Sequence, residues 1–529
     1  MARRRMFLTV LLSVTSIVMF PLSMDLRAEE AAAELAAGDY PAALKWLASQ
    51  FQAAKQKSQR DQLIVWLFDE SATMKEDQFV LLQHFHNAYE KADSRRTTVI
   101  HSFGRGVYQL MRQPVPDAPP GIKAIHQAVD RIPIDTSGNE NMCGAVESVV
   151  RKWTDQQPQR QVVIVVVTDE EASDTEGLDE TGSRTNTLED VVELCRRTET
   201  PVFVLGREAS FGTHAGRIVW KDPAYGLNHW IPVLKGPDSP FPERLQWAGF
   251  GKVTDAVPCG FGPYSQERLC RETGGGFFLI TDTVGRTRRR RQAMAGYEPD
   301  WRSRKVYADD LGDRPLRQTC RSVISSLDPF ANERLNLRER GFSVNEDEFA
   351  QQQKEHFVRA VDVLRIVTDA VRKLEAVKHL RDSETSERWR ANFDLLYAQV
   401  LASQARLPQY IATVNTHASE KPRPLQPKHN RWMVTVSTTP PAMLTDEQFR
   451  PIQLSLELAS QRDAYLTQLA ATRATAAELL KQIEAEYPGT PWAEIARRER
   501  SRGFNVELRS YFHDPKYDMV GKQIRLPKF

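Results

Sequence analysis

A chain of 529 residues is too long for one compact core, so two or three domains are expected. Apolar residues make up 41%, charged residues 26%, and mean hydropathy is -0.48, values that exclude a polytopic membrane protein and a largely disordered chain alike. With 71 Lys and Arg against 69 Asp and Glu, the net charge of +2 gives no global field to recruit nucleic acid or anionic lipid.

Arg3, Arg4 and Arg5 precede an apolar run from Met6 to about Met24 and then a short polar stretch. This is the charged, apolar, cleavable order of a secretory signal over residues 1–28, with cleavage after Ala28. An uncleaved anchor is the competing reading, because roughly 19 apolar positions approach the ~20 that span a bilayer. Either way the chain is expected to be exported, to the periplasm or beyond the cell, touching a membrane only through that segment. Cys143, Cys195, Cys259, Cys270 and Cys320 would then meet an oxidising compartment. Their odd number leaves at least one unpaired within the chain, and Cys259 and Cys270, nearest in sequence, are the first candidates for a bridge.

Residues 29–60 read as a helical lead-in to a domain spanning 61–282. Leu63 to Phe68 is a continuous apolar run, the mark of a strand buried on both faces. Phe79, Leu82, Phe85 and Tyr89 follow at helical spacing, and Thr97 to Phe103 reads as the next strand. Gly104 and Gly106 turn the chain into a short edge strand at Val107 and Tyr108. Helices are predicted around Ile122 to Val129 and Ala145 to Trp153, before the most apolar strand, Val162 to Val167. A helix over 188–197, a strand over 202–205, a helix over 264–272 and a strand over 277–280 complete the alternation. Strand and helix in turn predict a doubly wound, mostly parallel α/β sheet covered on both faces. In such sheets ligands bind where loops leave the carboxyl ends of the strands.

Those ends are acidic and hydroxylic. The first strand runs into Asp69-Glu70-Ser71-Ala72-Thr73, and the most apolar strand into Thr168-Asp169-Glu170-Glu171; between them Ser137-Gly138-Asn139-Glu140-Asn141 opens a helix. Converging oxygen ligands suit a hard dication, Mg²⁺ or Ca²⁺. Cys143 is the one soft ligand nearby, which disfavours zinc or copper.

The three loops resemble those of von Willebrand factor A domains, with Phe103-Gly104 and Thr273-Gly274-Gly275-Gly276 as supporting marks, over about residues 60–282. The resemblance implies a metal-ion-dependent adhesion site, at which a protein partner's carboxylate completes the coordination of Mg²⁺. It makes Ser71 and Thr73 direct ligands, and Asp69 and Asp169 ligands either directly or through water. One position departs from the family's pattern: Glu140 stands where a metal-binding Thr is usual. A third carboxylate beside Asp69 and Asp169 repels each by about 4 kcal/mol at ~4 Å and an effective dielectric near 20 unless a cation intervenes. Three readings follow. The site recruits an acidic partner, or Glu140 itself completes it around a structural ion such as Ca²⁺, or it is a metal-free relic with Glu140 turned to solvent or capping a helix.

The segment 207–261 is an insertion rich in Gly and Pro, leaving from the same sheet edge. Long loops of this kind serve as binding surfaces or lids. Trp220, Trp230 and Trp247 are its candidate partner-binding residues, and packing of these rings over the domain's flank is the alternative. Residues 283–344 read as a solvated linker carrying the basic run Arg286 to Arg291, with anionic polymer or lipid headgroups as a sharper option for the arginines. An all-α bundle is expected over 345–500. Asn345-x-x-Glu348 starts a helix bearing Val361, Leu364, Val367, Val371 and Leu374; a second carries Trp389, Phe393, Leu396 and Val400; a third runs unbroken from Thr445 to about Glu486. Residues 501–529 are a basic, aperiodic tail.

No His-Glu-x-x-His, G-x-S-x-G or Walker pattern occurs. The sequence therefore reads as a non-enzymatic, adhesion-type protein that binds a protein and no nucleic acid. A structural or assembly scaffold is the second reading, and a hydrolase built on the same loops the third.

Overall fold

The computed structural model describes residues 36–89, 93, 95–135, 137–175, 188–213, 215–439 and 443–527, so the expected leader over 1–28 lies outside the described residues. In chain order the strands are β1 (Ala37–Gly38), β2 (Asp61–Asp69), β3 (Arg96–Phe103), β4 (Val107–Gln109), β5 (Val115–Pro116), β6 (Arg160–Val167) and β7 (Val202–Gly206). An antiparallel hairpin follows, β8 (Ala215–Lys221) with β9 (Asn228–Leu234), and then β10 (Gly276–Ile280). The main sheet has the order β1-β10-β7-β6-β2-β3-β4, with β5 also on β3. Only β4 and β5 run antiparallel in it.

The apolar runs become central strands for the expected reason. Leu63 to Phe68 of β2 and Val163 to Val167 of β6 are wholly buried, because helices cover both faces. On one face the helix Tyr40–Ser58 sets Trp46 and Phe51 against Phe203, and Phe85 packs on Trp66 with ring centroids 4.8 Å apart. Helices Met142–Gln156, Leu188–Arg197 and Tyr264–Glu272 pack side by side as the other layer. The expected stripe after β2 is only partly right. The helix Met74–His84 buries Met74, Leu81 and Leu82 and leaves Phe79 62% exposed. From β2 the chain winds outward through β3, then returns to β6 and winds the other way. The topological switch point therefore lies between the carboxyl ends of β2 and β6.

Beyond the sheet, several expectations change. Residues 283–344 are not a solvated linker. They form helices Val284–Ala293, Arg304–Gly312 and Pro315–Ser326, and Leu316, Cys320 and Val323 enter the C-terminal core. The arginine run is a good helix former without an apolar stripe, which is why its periodicity is silent. The C-terminal part is helical but not all-α. Helices Glu346–Val377 and Glu387–Glu420 pair along their length, Arg462–Glu486 lies on the latter and Pro491–Arg502 on Arg462–Glu486. A three-stranded antiparallel sheet, β11 (Arg340–Ser343), β12 (Arg431–Ser437) and β13 (Asn505–Tyr511), completes it. Part of the expected tail is thus β13. The third helix is two, Asp446–Ser455 and Arg462–Glu486, the first starting in a Thr445/Gln448 capping box. No bridge joins Cys259 to Cys270: all five cysteines are free and buried, and the Cys259 thiol faces the Ala209 and Phe261 carbonyls.

The insertion corrects a further expectation. Trp247 is only 1% exposed, donates its indole N–H to the Leu335 carbonyl at 2.9 Å and packs in the C-terminal core, so it offers no partner surface. Burial of a large ring with its N–H satisfied is the favourable fate for tryptophan. Through it the insertion ties sheet and helices together, and residues 37–529 form one compact unit. Among the described residues no helix is long and apolar enough to cross a membrane.

Candidate functional site

Asp69 ends β2 fully buried at the switch point. Its Oδ1 accepts the Ser71 N–H at 2.7 Å, and its Oδ2 accepts the Thr168 hydroxyl at 2.6 Å. Ser71 Oγ lies 3.1 Å from Thr73 Oγ1 and 3.4 Å from Asp169 Oδ1. Four of the five expected site residues are therefore joined in one chain of contacts across the ends of β2 and β6.

Glu140 arrives from the loop before the helix Met142–Gln156. Three backbone bonds hold that loop: Asn141 N–H to the Gly104 carbonyl (3.1 Å), Ser173 N–H to the Glu140 carbonyl (2.9 Å) and Asp135 N–H to the Glu70 carbonyl (2.9 Å). Gly104 permits this approach, since a Cβ there would sit 2.6 Å from Asp135 Oδ2. Gly138 takes the left-handed φ of 70° that the turn needs. The Glu140 side chain does not turn to solvent. It is 6% exposed and lines a small cavity with Asp69, Ser71, Asp135 and Asn139, and its Oε2 is buried with no hydrogen-bond partner among the described residues.

Unbalanced negative charge sets the electrostatics. Burial, then the nearby Asp169 carboxylate, pushes Asp69 up to about 7. Burial, then Asp69, Glu170 and Asp169, pushes Glu140 up to about 11. Glu170, buried beside Asp169, rises to about 8. Arg207, whose charge draws Asp169 partly back down against burial, is already committed: it donates to both oxygens of Asp77 at 2.7 and 2.6 Å. Among the described residues no three His, Cys, Asp or Glu side chains form a group able to hold a metal by themselves.

Sequence reading missed the residues that tighten this site. Thr168 was legible only as the start of a Thr-Asp pair, yet its hydroxyl caps Asp69. Glu170 accepts the Leu234 N–H at 3.2 Å and Glu171 donates its N–H to the Leu234 carbonyl at 2.8 Å, which fastens the end of β9 to the loop after β6. The insertion thus walls a cleft of about 430 Å³ beside the site, lined by Thr73, Asp169, Ile218, Val233, Lys235 and Thr281 among others. Trp230 stands 63% exposed on β9. Trp220 is half-buried against His229, which in turn meets Tyr517.

The fold is a doubly wound sheet with an antiparallel edge, and it carries these three loops at its switch point. No family model matches the sequence, and no curated protein does. Among solved structures the chain is similar to a von Willebrand factor type A protein from Catenulispora acidiphila, at 15% identity and a TM-score of 0.22, covering 28% of this chain and 33% of that one. It is also similar to an aerotolerance-related membrane protein from Bacteroides fragilis NCTC 9343 with multiple mutations to serines, at 12% identity and a TM-score of 0.23, covering 44% and 96%. The match spans only a third of the first structure's length. Likenesses this distant add nothing to what the strand order and loops establish.

Proposed function

We propose that this is an exported, non-enzymatic protein-binding protein of the adhesion type, whose A-type domain holds Mg²⁺ or Ca²⁺ at a modified metal-ion-dependent adhesion site. Asp69, Ser71, Thr73, Glu140 and Asp169 would hold the ion, the hydroxyls supplementing the carboxylates. One observation carries the reading. The Glu140 carboxylate is buried beside Asp69, with an oxygen that has no partner and no ion pair among the described residues, and a buried carboxylate in that state is costly unless it is protonated or meets a positive charge. A dication supplies that charge, and a bound ion would let a partner's carboxylate dock in turn. Trp220, half-buried at the rim made by the insertion, is the partner-facing aromatic of this reading.

The test is capture of protein partners from an exported-protein fraction by the full chain, with and without chelator. Capture that needs the ion and is lost in both Asp69→Ala and Asp169→Ala supports adhesion. Capture indifferent to chelator and to both variants favours the second reading, in which the loops are metal-free scaffold. That reading draws support from Asp69, whose carboxyl is already satisfied by Ser71 and Thr168.

A further inference from the structure

The β8–β9 hairpin carries a surface that the cation site does not use. Its strands pair in register, Arg217 with Pro232, Val219 with Trp230 and Lys221 with Asn228. One face packs inward through Ile231, Val233 and the buried His229. The other presents Val219 (51% exposed), Trp230 and Leu234 (44%) to solvent, together with Pro232. Monomers seldom leave an indole and branched aliphatics grouped in water without a use for them.

Charge on this hairpin is one-sided. Over residues 215–235 the ionisable acids and strong bases are Arg217, Lys221, Asp222 and Lys235. Arg217 and Lys221 are exposed and make no ion pair among the described residues. The single acid is hidden: Asp222 is buried and accepts the N–H groups of Tyr225 and Leu227 and a hydrogen bond with His229, which spends it on the turn. Two cations therefore bracket a ribbon of apolar side chains with no exposed carboxylate between them. The turn itself, Pro223 to Leu227, adds no exposed charge.

More positive charge begins across the cleft. Thr281, the exposed acid Asp282 and Thr283 line the cleft with Ile218 and Val233, and they lead into the helix Val284–Ala293. There Arg286, Arg288 and Arg289 are exposed and unpaired among the described residues, whereas Arg290 is held by Glu208.

We propose that the outer face of this hairpin docks on an anionic lipid bilayer, with Trp230, Val219 and Leu234 seated at the headgroup–acyl boundary and Arg217 and Lys221 among the lipid phosphates. The chemistry fits a bilayer better than an acidic protein. The face is a two-stranded ribbon whose apolar side chains stand out into solvent. A lipid interface needs only an apolar wedge, an amphipathic indole and diffuse positive charge. The inference does not depend on a cation in the loops.

Sedimentation with vesicles tests it, using the compact unit of residues 37–529 so that the apolar Met6–Met24 segment makes no contribution. The vesicles are phosphatidylglycerol and phosphatidylcholine, either mixed in equal parts or phosphatidylcholine alone, with a polyglutamate peptide as the soluble acidic competitor. The expected result is binding to the mixed vesicles only, weakened by salt. Trp230→Ala should weaken it about tenfold, and Arg217→Gln with Lys221→Gln roughly 10- to 30-fold. These positions are exposed, so the thermal transition should stay in place and report an intact fold. Absence of binding to mixed vesicles, or equal binding by all variants, overturns the proposal. So does tight binding of polyglutamate without vesicle binding, which would assign the face to an acidic protein.

Discussion

Two clusters of buried carboxylates in this protein have opposite electrostatics. Under the C-terminal helices, Asp238 and Glu243 are as buried as Asp69 and Glu140, but Arg388 stands between them. Its Nη2 donates to Asp238 at 2.9 Å and its Nε to Glu243 at 2.6 Å. Asn392 and the Tyr307 hydroxyl also donate to Glu243. Burial raises Asp238 and Arg388 offsets it only in part, so this carboxyl too stays above its usual range, while the two carboxylates hold the Arg388 guanidinium protonated. At the switch point Asp69, Glu140 and Glu170 are buried too, and each is pushed up, Glu170 even though Lys235 draws it partly back down. One cluster carries its own cation and full hydrogen bonding, and is structural. The other has no such cation bonded to Asp69 or Glu140 among the described residues, and the proposed ion would supply that charge.

Breaking the balanced cluster should be the most damaging change. Arg388→Met strands two carboxylates and should destabilise the fold by about 3–5 kcal/mol in urea unfolding. Trp247→Ala should cost a similar amount, about 3–5 kcal/mol, since it empties the joint between insertion and helices. A loss under about 1 kcal/mol in either would show that the C-terminal part does not depend on these contacts.

The unbalanced cluster should show itself in pH. Raised carboxyl groups mean that the folded state holds protons which the unfolded chain has lost. For Asp69 the window runs from its usual 3.8 up to about 7, and for Glu140 from 4.5 towards 11. The stability from protonation is complete below the lower value and falls as pH rises through the upper one, by about 1.4 kcal/mol per pH unit for each proton. Chelated protein should therefore lose stability between pH 5 and 7.5, and millimolar Ca²⁺ should flatten that slope. Equal slopes with and without the ion would contradict the site.

Glu140→Gln sharpens the same contrast at smaller cost. Without metal its stability near pH 7 should change little or rise, while dication affinity should fall about tenfold or more. Glu140→Thr, which replaces the carboxylate by a hydroxyl, should shift the preference between Mg²⁺ and Ca²⁺. Smallest of all, Trp230→Ala should leave stability within about 0.5 kcal/mol, because its ring is in water, whereas Trp247 lies in the same insertion and is buried.

The sheet was legible because strands covered on both faces need unbroken apolar runs, and Val162 to Val167 can hardly be read otherwise. The hairpin and the three-stranded sheet were not. β9 alternates buried and exposed residues cleanly, but Pro232 and the Gly-rich surroundings mask the period. β12 does so through Trp432 and Val434 inside a stretch that Pro422, Pro424 and Pro427 mark as a break. Trp247 could not be told from Trp230 by sequence, since only tertiary packing decides which ring is covered. At the site, Asp69, Ser71 and Asp169 were readable from their place at strand ends. The inward turn of Glu140 was open, because it depends on bonds to Gly104 and Ser173 from distant loops. Thr168 and Glu170 were legible as part of the acidic strand end, but not their bonds to Asp69 and Leu234, for the same reason.

The most direct test is calorimetric titration of the chelated full chain with Ca²⁺ and with Mg²⁺ near pH 7.5, in two buffers of different ionisation enthalpy, alongside Glu140→Gln. One ion bound per chain, with protons released as it enters and fewer released by the variant, is the predicted outcome. No binding up to millimolar concentration, or binding unchanged in affinity and proton release by the variant, would contradict a cation held between Asp69 and Glu140.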